Sequence, residues 1–139
     1  MNMRASDKRR DDIFEVVLNT VSEGITVIDK DLRITFQNNV ITQFYGKSIL
    51  GKHCYRAYRG RKEPCEDCKI IDVLKDGQQR RIIRDVSLPN GDILLIELNS
   101  AAIKDEEGNI IGAVEVARDV TEQKKAEALL NKTLLKQNE

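Results

Sequence analysis

All three cysteines of this 139-residue chain, and its single histidine, fall within one stretch, "HCYRAYRGRKEPCEDCK", residues 53–69. Cys65 and Cys68 form a Cys-x2-Cys pair, with Cys54 ten intervening residues upstream. A Cys-x2-Cys turn can offer two thiolates to one ion; Cys54 with His53, Asp67, water or a cysteine from a second chain would complete a tetrahedral Zn²⁺ set. The same spacing suits a reversible disulfide. Pro64-Cys65 runs into the apolar "CKIIDVL" segment, so a thiol there sits at a helix start, where the dipole and Arg59, Arg61, Lys62 and Lys69 lower its pKa while Glu63, Glu66 and Asp67 oppose them. A third reading needs no chemistry: Cys54 packs as a small apolar side chain and the pair shapes a turn. Three cysteines cannot assemble a four-cysteine iron–sulfur cluster within one chain. All three readings stay open on the residues alone.

The rest of the chain limits the function classes. Lys plus Arg number 23 and Asp plus Glu number 23, so formal charge is zero and no basic excess marks a nucleic-acid binder. The four basic residues and two tyrosines of "YRAYRGRK" read as a solvated face balanced by the acids just downstream. No apolar run reaches membrane-spanning length, and "MNMRASDKRRDD" lacks the apolar core of a secretory signal; a cytoplasmic setting and a flexible leader over residues 1–10 are expected. No phosphate-cradling glycine loop or nucleophile–base pair is present, so the expectation is not an enzyme. The strands offer a general base mainly at Asp85 and Glu97.

The elements that must position the cysteines follow from periodicity. Residues 11–21 predict an amphipathic helix, with Ile13, Val16, Val17 and Val21 on one line and Phe14 and Leu18 on a second. It either folds onto its own core or also serves a second chain. "EGITVIDKDLRITFQN" predicts a hairpin turning at residues 29–31. Asn38 or Asn39 caps a short helix through Tyr45, closed by Gly46 as a left-handed residue. A second helix, "CKIIDVLKDG", ends at Gly77. Three strands follow, "QRRIIRDVSL", "DILLIELNSAAI" and "NIIGAVEVARD", the first two joined at Pro89-Asn90-Gly91. In the last, Ile110, Gly112, Val114 and Val116 share one face, so Gly112 marks a bulge or a close backbone approach. Residues 120–139 predict an exit helix with Ala126, Leu129, Leu130 and Leu134 along one edge, which calls for a partner.

This order resembles the PAS domain. "GITVIDKDLRITFQNN" is similar to the family's opening hairpin and helix-starting asparagine, here Asn38; Gly46 matches the glycine that ends that helix. "LPNGDILLIELNSAAIKDEEGNIIGAVEVARDVTEQKKAE" is similar to its last two strands and closing Asp-x-Thr, here Asp119 and Thr121. The likeness runs over about residues 13–128. It departs at Leu32, where the family often has glycine. The resemblance implies an α+β fold: a five-stranded antiparallel sheet with short helices on one face, a core over residues 22–119 and a pocket for a small ligand. That pocket would be lined by Val27, Ile34, Phe36, Phe44, Ile83, Leu95 and Val114. It also implies a sensor module, homodimeric through its first and last helices, that signals through Asp119, Thr121 and the exit helix to an output domain such as a histidine kinase. The alternative is a dimerisation adaptor whose interior is filled by its own side chains.

Within that resemblance the cysteine stretch can be tested against known cofactors. Light-sensing members follow a reactive cysteine with arginine, phenylalanine, leucine and glutamine; here Cys54 is followed by Tyr55, Arg56, Ala57 and Tyr58, which argues against flavin. Haem-binding members take an axial histidine from the helix after this stretch, and "CKIIDVLKDG" has none. The "GxxCY…PCxxC" pattern resembles that of some bacterial sensor PAS domains, which leaves metal, redox and packing roles open.

Overall fold

The structure, a computed structural model, describes residues 5–137. The chain runs α1 (Ala5–Thr20), β1 (Gly24–Asp29), β2 (Ile34–Gln37), α2 (Asn39–Tyr45), α3 (Cys54–Arg59), α4 (Lys69–Asp76), β3 (Arg80–Ser87), β4 (Ile93–Lys104), β5 (Ile110–Asp119) and α5 (Thr121–Gln137). The five strands form one antiparallel sheet in the order β2-β1-β5-β4-β3. The α+β architecture is the expected one. Two boundaries differ from the expectation. Residues 5–10, read as leader, continue α1, and residues 1–4 lie outside the described residues. The cysteine stretch, where no element is expected before the "CKIIDVL" helix, contains a short helix, α3.

Strand alternation sends every second residue to each side of the sheet. One side carries α2, α3 and α4 and buries Ile28, Ile34, Ile41, Ile49, Ile70 and Val73, with Ile28 and Val73 at 1% and 0% exposure. Each such side chain contributes roughly 1.5–3 kcal/mol when fully buried. Asn38, fully buried, ties the hairpin to this layer. Its Oδ1 accepts from the amides of Ile25 (3.0 Å) and Ile41 (3.3 Å), and its Nδ2 donates to the carbonyls of Leu18 and Glu23. The asparagine is thus an N-cap and a four-way strut.

Leu32, the departure in the first turn, adopts φ 66° and is 7% exposed. Burial in the cluster with Ile28 and Ile70 offsets the cost of a left-handed leucine. Gly46 closes α2 at φ 81° but with an extended ψ of 169°, so it is a positive-φ cap outside the left-handed helical region. Gly112 resolves as close approach: a Cβ there would stand 2.6 Å from the Ile28 carbonyl oxygen. The β4–β5 register also shifts beside it, between Ile103 and Lys104.

The terminal helices are not folded onto the core. Ile13, Phe14, Val16 and Val17 are 51–64% exposed, and Leu129, Leu130, Leu134 and Leu135 are 48–69% exposed. No helix among the described residues is long and apolar enough to cross a membrane.

Candidate functional site

A cavity of about 510 Å³ lies between the helical layer and the sheet. Its walls are Val40, Ile41, Phe44 and Tyr45 of α2, Cys54, Tyr55, Tyr58 and Arg59 of α3, and Cys65, Cys68, Lys69 and Ile70 around the start of α4. Its floor is read directly from strand register. Thr26, Glu115, Ser100 and Arg80 stand side by side across β1, β5, β4 and β3, forming a polar row. The next row, Gly24, Ala117, Leu98 and Ile82, is small and apolar. Asp119, Ile96 and Arg84 form the row beyond it.

The expected pocket residues are redistributed. Phe44 lines the cavity. Val27, Phe36, Ile83, Leu95 and Val114 do not: Val27 pairs with both Phe36 and Val114, and that parity sets them on the opposite, open face. Ile83 and Leu95 take the open-face parity of β3 and β4. Ile34 faces the helices but is sealed against Ile41 and Ile49 rather than lining the space. Strand hydrophobicity favours Val114 and Val116 as the inner residues. The chain instead turns Ala113, Glu115 and Ala117 inward: Ala113 packs with Ile70 and Val73 of α4, while Glu115 and Ala117 line the cavity.

Glu115 is the functional candidate that sequence reasoning missed. It sits near the centre of the sheet, half-buried, with its exposed area inside the cavity. Among the described residues its carboxylate makes no hydrogen bond and no ion pair. Burial pushes its pKa up, opposed by the charge of Arg84. The two acids that the sequence offers are placed differently. Asp85 lines the cavity from an exposed position on edge strand β3. Glu97 lies on the open face, bonded by Asn99 (3.1 Å), Arg81 (3.0 Å) and Arg118 (3.3 Å). Burial raises its pKa, but the Asn99 bond and the two arginines outweigh that and hold it low.

The three cysteines do converge on the cavity as free thiols, while His53 does not. Its ring stacks on Tyr55 at 4.9 Å, and its backbone bridges Arg33. Among the described residues no three His, Cys, Asp or Glu side chains form a group that could hold a metal ion, so the set Cys54, Cys65, Cys68 and His53 is not assembled. At Cys68 the expected lowering of the thiol pKa is reversed. Burial, then the charges of Cys68 and Glu115, push Cys54 up to about 12. Cys68 is the N-cap residue of α4, and the amides of Ile71 and Ile70 stabilise its thiolate, yet burial wins and its pKa also rises. Burial thus favours the thiol form of both, the less nucleophilic one. Beside them the Tyr58 hydroxyl shares a 2.7 Å hydrogen bond with Thr26, and its ring meets Tyr45 edge-on at 4.8 Å.

Asp119 and Thr121, the residues expected to relay a signal, stand where the last strand meets the exit helix. The Asp119 carboxylate accepts from the Thr121 amide (2.9 Å) and hydroxyl (2.6 Å), and the Thr121 hydroxyl in turn accepts from the Leu95 amide (2.9 Å). The Val120 amide donates to the Leu95 carbonyl (2.9 Å). Leu94 and Ile96, on either side of Leu95, both line the cavity, as does Asp119.

A family model described as the PAS domain matches residues 22–122. The chain belongs to the PAS domain family. Solved structures agree on the PAS fold. The PAS domain of a protein from Colwellia psychrerythraea is 19% identical, covering 83% of this chain and 97% of that one, with a TM-score of 0.65. That of Bordetella pertussis BvgS is 21% identical over 92% of this chain and 98% of that one, TM-score 0.58. An RNA-binding light-oxygen-voltage receptor is 18% identical over 92% of this chain and 38% of that one, TM-score 0.71. No curated protein matches the chain.

Proposed function

We propose that this PAS domain is a sensor module that takes a small molecule into the cavity and reports occupancy through α5. The observation that carries this reading is the continuity of parts on β4. Leu94 and Ile96 line the cavity, and the residue between them, Leu95, holds both Val120 and Thr121 at the start of α5. A ligand that repositions the inner side chains of β4 therefore acts on the backbone that anchors the helix. The cavity's size falls in the range of small-molecule sites, about 300–1,000 Å³, which speaks against an interior filled by the chain's own side chains. The exposed apolar residues of α1 and α5 support a homodimer formed through those helices, with α5 leading to an output domain such as a histidine kinase. The balanced charge favours no nucleic-acid partner for this domain. The absence of a nucleophile–base constellation supports a non-enzymatic role, and the protonated thiols support a packing role for the cysteines rather than a metal or redox switch.

A thermal-shift screen of cavity-sized compounds, followed by amide hydrogen exchange with any binder, tests the proposal. A stabilising compound that changes exchange at Leu95, Val120 and Thr121 supports it. A diverse library that stabilises nothing returns the domain to the adaptor reading.

A further inference from the structure

The polar row on the cavity floor specifies more than the presence of a ligand. Glu115 stands between Thr26 and Ser100, which are both 2% exposed, and Thr26 is joined to the Tyr58 hydroxyl. Four oxygen-bearing side chains thus meet on the cavity floor; Arg80, next in the row, is already paired with Asp76, and Arg59, Lys69 and Arg84 stand elsewhere on the lining. Among the described residues neither the Glu115 carboxylate nor the Ser100 hydroxyl has a hydrogen-bond partner. Arg84, the opposing charge, lies four residues along the strand and two strands across. That is about 16 Å between backbone positions by strand geometry, and it makes no ion pair with Glu115 within the described residues. A buried carboxylate without a donor is costly unless a partner arrives. The negative field also reaches the opposite wall, where Glu115 raises the pKa of Cys54, Cys68, Tyr45 and Tyr58, in each case after burial. Such a field repels an anionic head and favours a cationic one.

We propose that the ligand carries a basic nitrogen, an amine or amidine, seated on Glu115 with Ser100 and Thr26 as flanking acceptors. Its apolar body rests against Phe44, Ile70 and Leu98. The assignment rests on the sensor reading and adds the chemical class of the ligand to it.

Calorimetric titration of the full chain with phenethylamine and benzamidine, beside phenethyl alcohol and 3-phenylpropionate, tests it. The two bases are expected to bind on the order of tenfold or more tightly than the alcohol or the carboxylate, the increment of one hydrogen bond to a charged group. Glu115→Gln, nearly isosteric, should remove that preference. Ser100→Ala should weaken the bases about threefold and supplies the answer if the first variant does not fold. Equal or better binding of the alcohol or carboxylate, or full affinity for the bases in Glu115→Gln, overturns the basic-nitrogen assignment and leaves the sensor reading intact. The same follows if other library compounds bind and neither base does. If no compound of any class binds, both readings fall.

Discussion

Glu97 and Glu115 stand on adjacent strands of one sheet, β4 and the central β5, and face opposite ways, and their surroundings could hardly differ more. On the open face Glu97 is covered by two arginines and an asparagine, so its charge is answered within the chain. On the cavity face Glu115 has an enclosing wall and, among the described residues, no donor. A fold seeking only stability would pair or replace the second acid. Leaving it unanswered, on a floor where its neighbours Ala117 and Gly24 are small, is what a binding surface requires and a packing surface does not.

The difference between the faces can be broken most severely at adjacent positions of β1. Ile28→Ala, on the cavity side, should lower unfolding stability by about 2–5 kcal/mol, whereas its neighbour Val27→Ala on the open face should cost about 1 kcal/mol. Urea denaturation of both variants checks this, and equal losses would erase the asymmetry. Gly112→Ala should follow at about 1–3 kcal/mol, because its Cβ meets backbone that cannot rotate away.

Much of this architecture is legible in the sequence, and the failures have a common cause. Turn chemistry at Pro89-Asn90-Gly91, the cap at Asn38 and the closing Asp119-Thr121 pair are local, and each element they bound is present. Which face of a strand looks inward is not local. Alternation in "NIIGAVEVARD" is equally consistent with either parity, and hydrophobicity chooses the valines. The structure chooses Ala113, which packs against α4, and Glu115 and Ala117, which line the cavity between the helices and the sheet. The same choice of parity misplaces Val27, Ile83 and Leu95. The cysteines leave metal, redox and packing readings open in the sequence because spacing along the chain does not reveal burial. It is burial that keeps Cys54 and Cys68 protonated.

Smaller effects sharpen the contrast. Thr121→Val keeps the shape but removes the hydroxyl bridge, so unfolding stability should fall by about 1 kcal/mol. Exchange at the Leu95 amide should rise while that at cavity-face Ile28 stays unchanged. Iodoacetamide at pH 8 should modify Cys54 far more slowly in the folded chain than in urea. Comparable rates would show that its thiol is not suppressed.

The pH dependence of the two glutamates differs in sign. Because the folded pKa of Glu115 is raised, its favourable contribution is complete below the ordinary glutamate range and is lost as pH rises through the folded value. Glu115→Gln should therefore melt higher than the parent at neutral pH, with the gap closing as pH falls. Because the folded pKa of Glu97 is lowered, Glu97→Gln should melt lower at neutral pH, with its deficit vanishing as pH drops through that lowered value. Carbon-13 NMR titration of the two side-chain carboxyls in the ligand-free protein tests the central claim most directly. Glu115 should titrate above the ordinary glutamate value and Glu97 below it. A Glu115 that titrates at or below the ordinary value would mean the cavity already supplies its partner, and the contrast between the two faces would be wrong.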